Sequence, residues 1–203
     1  MTNKSVKFSV SVGAVIVIAV AYMLGAVRFL LLIAAATIAH ELGHYLAVRA
    51  FGRAIISVRL NATGITIRRP PPESYIEEIV IAAAGPMASV ILAAAMAVAA
   101  RIYGVEIART LAGTSIVFAM FNILPVLPLD GGRILYAVLA RMFGLYAAER
   151  VTCISSCAVI FLLLCAGGYV FVVTRTNFTL LTAAVWMLIY YCKTGNDGIK
   201  SML

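Results

Sequence analysis

Charge is scarce in this sequence. Only 12% of its 203 residues are Asp, Glu, Lys or Arg and 64% are hydrophobic, whereas a soluble domain is about 25% charged and 45–50% apolar. Such a chain cannot cover itself with polar surface, which excludes an ordinary soluble globule. The same figures exclude intrinsic disorder. Cysteine is sparse and unpatterned: Cys153, Cys157, Cys165 and Cys192 form no CxxC pair, so neither a zinc knuckle nor a redox motif is signalled. They read as small buried apolar residues. No internal repeat or low-complexity tract occurs. Histidine and aspartate are the rarest ionisable residues, with two of each in the whole chain.

What the chain has instead is long apolar runs. Six can be counted, at about residues 8–24, 29–51, 76–100, 110–129, 151–174 and 178–192. Each approaches or exceeds the roughly 17–25 residues that cross a bilayer as a helix. The expected fold class is an all-α polytopic membrane protein with six transmembrane helices, forming one membrane-embedded domain over residues 1–203. The first run could instead be a signal peptide, since Ala19-Val20-Ala21 resembles a cleavage site, but the run continues past Ala21 to Arg28, as an uncleaved anchor would. The net charge of +8 fits loops facing anionic cytoplasmic lipid rather than nucleic acid. With six spans and the N-terminus inside, twelve of the sixteen basic residues fall on one side and only Arg28, Arg101, Arg109 and Arg175 on the other. That bias places both termini in the cytoplasm of a multi-pass integral membrane protein.

Between the second and third runs, Ala54–Leu60 and Gly64–Arg69 are short β-prone stretches around Asn61-Ala62-Thr63-Gly64. They predict a small cytoplasmic β-hairpin. Pro70–Pro72 end it, and Ser74-Tyr75-Ile76-Glu77 fits a capping box that starts the third helix.

Inside the second run the chain reads TIAHELGHYLAV. An ionisable group at the centre of a span costs roughly 2.5–3.5 kcal/mol even on lenient insertion scales, so polar residues here are functional by default. His40 and His44, four apart, lie on one helix face about 6 Å apart along the axis. They can share one metal ion. Glu41 sits about 100° round the helix, within reach of a water at that metal. Gly43 leaves room for a substrate or a neighbouring helix. This is the H-E-x-x-H arrangement of zinc hydrolases with Glu as general base. The alternative is a pair of structural histidines bonded to backbone groups.

A catalytic zinc usually takes three protein ligands, and no third histidine exists. Of the eight acids, Glu73, Glu77, Glu78, Glu106, Glu149 and Asp197 lie in loops or at span ends. That leaves Glu41 and Asp130. Asp130 follows a proline-broken stretch, FNILPVLPLDGGRIL, where helix is interrupted and Gly131-Gly132 allow a turn. Non-helical backbone at membrane depth is tolerated where it lines a wet cavity; the alternative is an interfacial Asp in a turn. Asn122, eight residues earlier, could donate to a developing oxyanion or hold an extended substrate, or equally make a helix–helix hydrogen bond.

HELGH in one span and NILPVLPLDGG in a later one resemble the site-2 protease family of intramembrane zinc metalloproteases, over roughly Ile33 to Leu139. The resemblance implies one Zn2+ per chain held by His40, His44 and Asp130, with Glu41 as catalytic base and Asn122 near substrate. The six-span plan without a PDZ insert is most similar to the sporulation branch, whose substrate is a membrane-associated pro-sigma factor in the bacterial cell membrane or forespore membrane. Two departures stand out. Ser89 occupies a place where the family commonly has Asn, so Gly85, Pro86 and Ser89 are expected to serve close packing. The nucleotide-sensing CBS domain common in that branch is not part of this sequence, which suggests control by a membrane-protein inhibitor.

The expected function is therefore an intramembrane metalloendopeptidase acting in the lipid bilayer on a membrane-associated protein, such as a pro-sigma or anti-sigma factor. Two rival classes use the same residues. A transporter would hold a metal ion or small solute at His40, His44 and Asp130, but would leave Glu41 without a task. A non-catalytic regulator would hold substrate without cutting it, and such a protein usually lacks the Glu or a ligand.

Overall fold

In the computed structural model, residues 7–11, 18–19, 22–23, 25–61 and 64–202 are described. Its elements are β1 (Lys7–Val10), α1 (Val27–Ala50), β2 (Ser57–Asn61), β3 (Gly64–Arg68), α2 (Tyr75–Tyr103), α3 (Glu106–Asn122), α4 (Asp130–Phe143), α5 (Leu145–Thr174) and α6 (Thr179–Met202). Most of the chain is helical, as the apolar runs predict.

Three of these helices, α1, α2 and α5, have 24, 29 and 30 residues and are long and apolar enough to cross a membrane. At 1.5 Å per residue each exceeds the roughly 30 Å hydrocarbon core. The surface of α5 agrees: Phe161, Leu162, Tyr169 and Val172 are all largely exposed, a face that water would not tolerate at this size. Cys157, Cys165 and Cys192 are exposed too and Cys153 is half-buried. The expectation that the cysteines are buried is corrected accordingly. In a chain with lipid-facing helices, apolar character does not imply burial inside the protein.

The expected first span, about 8–24, lies largely outside the described residues, and its opening residues form β1 rather than helix. Phe8-Ser9-Val10-Ser11-Val12 alternates apolar and polar residues, which is the period of a strand. The expected hairpin is present as β2 and β3, antiparallel, with Ser57 opposite Arg68 and Asn61 opposite Gly64; its turn residues Ala62 and Thr63 lie outside the described residues. β1 adds parallel to β2, Lys7 opposite Ser57, so the sheet order is β1-β2-β3. The expected proline break in the fourth run, about 110–129, is present. Helix α3 ends at Asn122 and the backbone is non-helical through Leu129, where Pro125 and Pro128 remove helical donors.

The contacts divide the chain into two units, one of Met1–Pro70 with Ala83–Phe121 and one of Pro71–Ala82 with Asn122–Leu203. In the first, α1 ends in a Schellman motif. Gly52, at φ +70°, donates its N–H to Arg49 O at 2.9 Å, and Arg53 donates to Val48 O at 3.1 Å, which satisfies the last carbonyls. Strand β3 lies against α1. In the second unit, Ser74 caps α2 by accepting from Glu77 N–H at 3.1 Å. The return arm of the expected capping box differs: Glu77 Oε2 accepts from Glu73 N–H at 2.9 Å. Leu127, Tyr136, Ala140 and Ala148 form the core of this unit, with Tyr75 and Leu139 against it.

Candidate metal centre

Helix α1 delivers His40 and His44 from successive turns. Both are buried. Their rings meet edge-on, with centroids 4.8 Å apart, and the two Nε2 atoms face each other at 3.2 Å. Two nitrogens bound tetrahedrally to one zinc at 2.0–2.1 Å would be about 3.3 Å apart. The pair is thus set to the spacing of a shared ion.

What sets it is α2. The Ser89 hydroxyl lies 3.0 Å from His40 Nδ1. A neutral imidazole that ligates through Nε2 carries its proton on Nδ1 and donates it to such a partner, which fixes tautomer and ring orientation. Phe118 of α3 meets the His40 ring edge-on at 4.9 Å. A Cβ at Gly85 would run into Nε2 of both His44 and His40, and one at Gly43 would run into the Ala84 carbonyl and Ala88. Gly43 therefore admits the neighbouring helix, and Gly85 makes a cradle beneath the two imidazoles. Sequence reasoning assigned Gly85 and Ser89 to packing alone. The signal that could have found them is their spacing of four, which puts both on one face of α2. Glu41 lies next to His40 and is half-buried.

Asp130 is built within the other unit. It is buried and is the first residue of α4. The non-helical stretch before it is held by α5: Leu127 N–H donates to Ser156 Oγ at 3.2 Å, and Ser155 Oγ donates to Pro125 O at 2.7 Å. Side chains of Gly131 and Gly132 were expected to be absent for the sake of a turn. Their role is steric: a Cβ at Gly131 would meet the carbonyls of Ile123 and Leu124, and one at Gly132 would meet the backbone of Val126 and Leu127. The first turn of α4 can press against the broken segment only as glycine. Asn122, the last residue of α3, is half-buried. Glu77 and Glu78, expected in a loop or at a span end, lie in the first turn of α2 and are 4% and 3% exposed, and Glu78 pairs with Arg133 at 2.8 Å.

Two imidazole nitrogens and one carboxylate are a donor set that suits zinc in a catalytic site. His40, His44 and Asp130 are all buried and each offers a single ligand atom.

Comparison with known proteins points the same way. The model of peptidase family M50 matches residues 101–166. A zinc metalloprotease of Methanocaldococcus jannaschii is 29% identical over 133 residues, which is 62% of this chain and 38% of that protein. A Mycobacterium tuberculosis protein named as zinc metalloprotease Rip3 is 34% identical over 135 residues, 61% of this chain and 33% of the relative. The chain thus spans about a third of the length of the curated relatives it matches. Among solved structures, the site-2 protease from Methanocaldococcus jannaschii superposes with a TM-score of 0.67 at 21% identity, covering 91% of this chain and 89% of that one. At that identity the likeness is one of fold.

Proposed function

We propose that this chain is a member of the site-2 protease family, an intramembrane zinc metalloendopeptidase that cuts a membrane-associated protein. The observation that carries the reading is the histidine pair, buried, 3.2 Å between Nε2 atoms and oriented by Ser89.

In this reading His40, His44 and Asp130 hold one zinc ion. Bound there, zinc would act as a Lewis acid and bring the pKa of a water towards about 7. Glu41, on the same helix, takes the proton of the attacking water and delivers it to the leaving amine. The Asn122 amide donates to the oxygen on which charge develops, or holds the extended backbone of the substrate. Ser89 and Gly85 keep the imidazoles in place. Irregular backbone such as that at Ile123–Leu129 is tolerated at membrane depth where it lines a water-filled cavity.

Six crossings with both termini cytoplasmic remain the reading that the basic residues support. In it the fourth crossing is the shorter helix α3, followed by the broken segment. A pro-sigma factor as substrate rests on the resemblance to the sporulation branch.

The test is Glu41→Gln. Removal of a general base costs about 10²–10⁴ in rate, so cleavage of a membrane-anchored reporter should fall by that factor while zinc content stays near one ion per chain. Equal cleavage by both forms would sink the protease reading, and metal flux through either form would favour a transporter.

A further inference from the structure

We propose that Arg133 is a positioning residue for the metal centre: it holds one oxygen of the Asp130 carboxylate, and Glu78 holds Arg133. The proposal rests on the reading of Asp130 as a ligand and deepens it.

The geometry is specific. Arg133 Nε and Nη2 both reach Glu78 Oε1, at 2.9 and 2.8 Å. Two arms of the guanidinium fork on one acceptor fix its plane. The remaining arm, Nη1, donates to Asp130 Oδ1 at 3.0 Å. The two carboxylate side chains are only 4% and 7% exposed, and that of Arg133 is 20% exposed. Arginine keeps its charge in such a place and presents its donors in a rigid fork, which lysine cannot do.

A buried ion pair is weak evidence for stability, because desolvation offsets most of the Coulomb gain. What this triad does supply is direction. Asp130 opens α4 directly after seven non-helical residues, so its side chain has no preceding helical turn to lean on. Arg133 lies one turn further along α4, and Glu78 comes from the first turn of α2. Together they tether Oδ1 to both helices. With Oδ1 engaged by a cation, the carboxylate is held in one orientation. Hydrogen bonding of a ligating carboxylate is a general means of orienting it, and loss of such a partner typically costs 10–100-fold in metal affinity.

The experiment uses the full chain purified in detergent, with Arg133→Gln, Arg133→Lys and Glu78→Gln. Zinc affinity is measured by competition with a chelator. The visible spectrum of the cobalt-substituted protein reports ligand geometry, and thermal unfolding of the metal-free protein reports stability. Arg133→Gln should lower zinc affinity about 10–100-fold and shift the cobalt bands, with unfolding of the metal-free form little changed. Arg133→Lys should keep part of the affinity, and Glu78→Gln should show a smaller loss than Arg133→Gln. If Arg133→Gln does not fold, the other two variants carry the test.

Unchanged zinc affinity and cobalt bands in the Arg133 variants would overturn the proposal. A loss of affinity no larger than the loss of metal-free stability would do the same, since that marks a structural pair. Asp130→Ala separates the two levels. If it keeps full zinc affinity, the ligand assignment itself fails. If it loses zinc while the Arg133 variants do not, only the positioning role fails.

Discussion

An alanine at position 85 would strengthen α2 by its propensity, about 1 kcal/mol over glycine. It would also put a Cβ against Nε2 of His44 and of His40. The second effect should win at the site, because the imidazoles must swing aside and their facing nitrogens separate. Gly85→Ala is therefore expected to keep or raise the thermal stability of the metal-free protein while zinc content falls well below one ion per chain. Metal analysis beside thermal unfolding checks this; full zinc occupancy would show that the cradle is wider than it looks. Ser89 acts at the same scale. Where the family commonly carries an amide, its hydroxyl still provides an oxygen 3.0 Å from His40 Nδ1.

At the scale of elements, the sheet bears on how a substrate would be held. Alternation in Ala54–Arg69 suggests an edge to which an unwound substrate adds as a strand. The structure refines which edge: β1 already pairs along β2, so within the described sheet the outer side of β3 is the candidate. A proline there has no N–H to donate. Ile65→Pro and Ile67→Pro, made singly, are expected to lower reporter cleavage in at least one case while zinc stays bound. If neither changes cleavage, the hairpin is only a connector and the chemistry at Glu41 stands without it. The broken segment is an element-scale feature too. Proline content made the interruption after Asn122 legible, but not its support by Ser155 and Ser156 of α5. Those serines read as ordinary helix residues, since nothing local marks a hydroxyl that serves a backbone about thirty positions away.

For the whole molecule, orientation is the property that the sequence argues most directly. Twelve of sixteen basic residues on one side of a six-span plan should place residues 54–74 and the region beyond Cys192 in the cytoplasm. Cysteine-accessibility labelling at introduced sites in these segments is expected to report cytoplasmic exposure for both. An external signal from 54–74 would overturn the plan. Helix existence was legible because apolar runs of this length have few other uses. Boundaries were less so: Phe8–Val10 carried a strand period inside an apolar run, and hydropathy alone averages that away.

By itself the sequence determined the class of protein, the helical character of its apolar runs, and the candidate chemistry of His40, Glu41, His44 and Asp130. These follow from composition, from period and from the cost of polar groups in lipid, all of which are properties of residue type and spacing. The tertiary structure alone decided how the histidines are held. Gly85 and Ser89 lie more than forty residues from His40, and Glu78 lies 55 from Arg133. Hydrogen bonds and steric cradles act over a few ångströms of space and leave no trace in spacing along the chain, so only the packed helices could bring these partners to light.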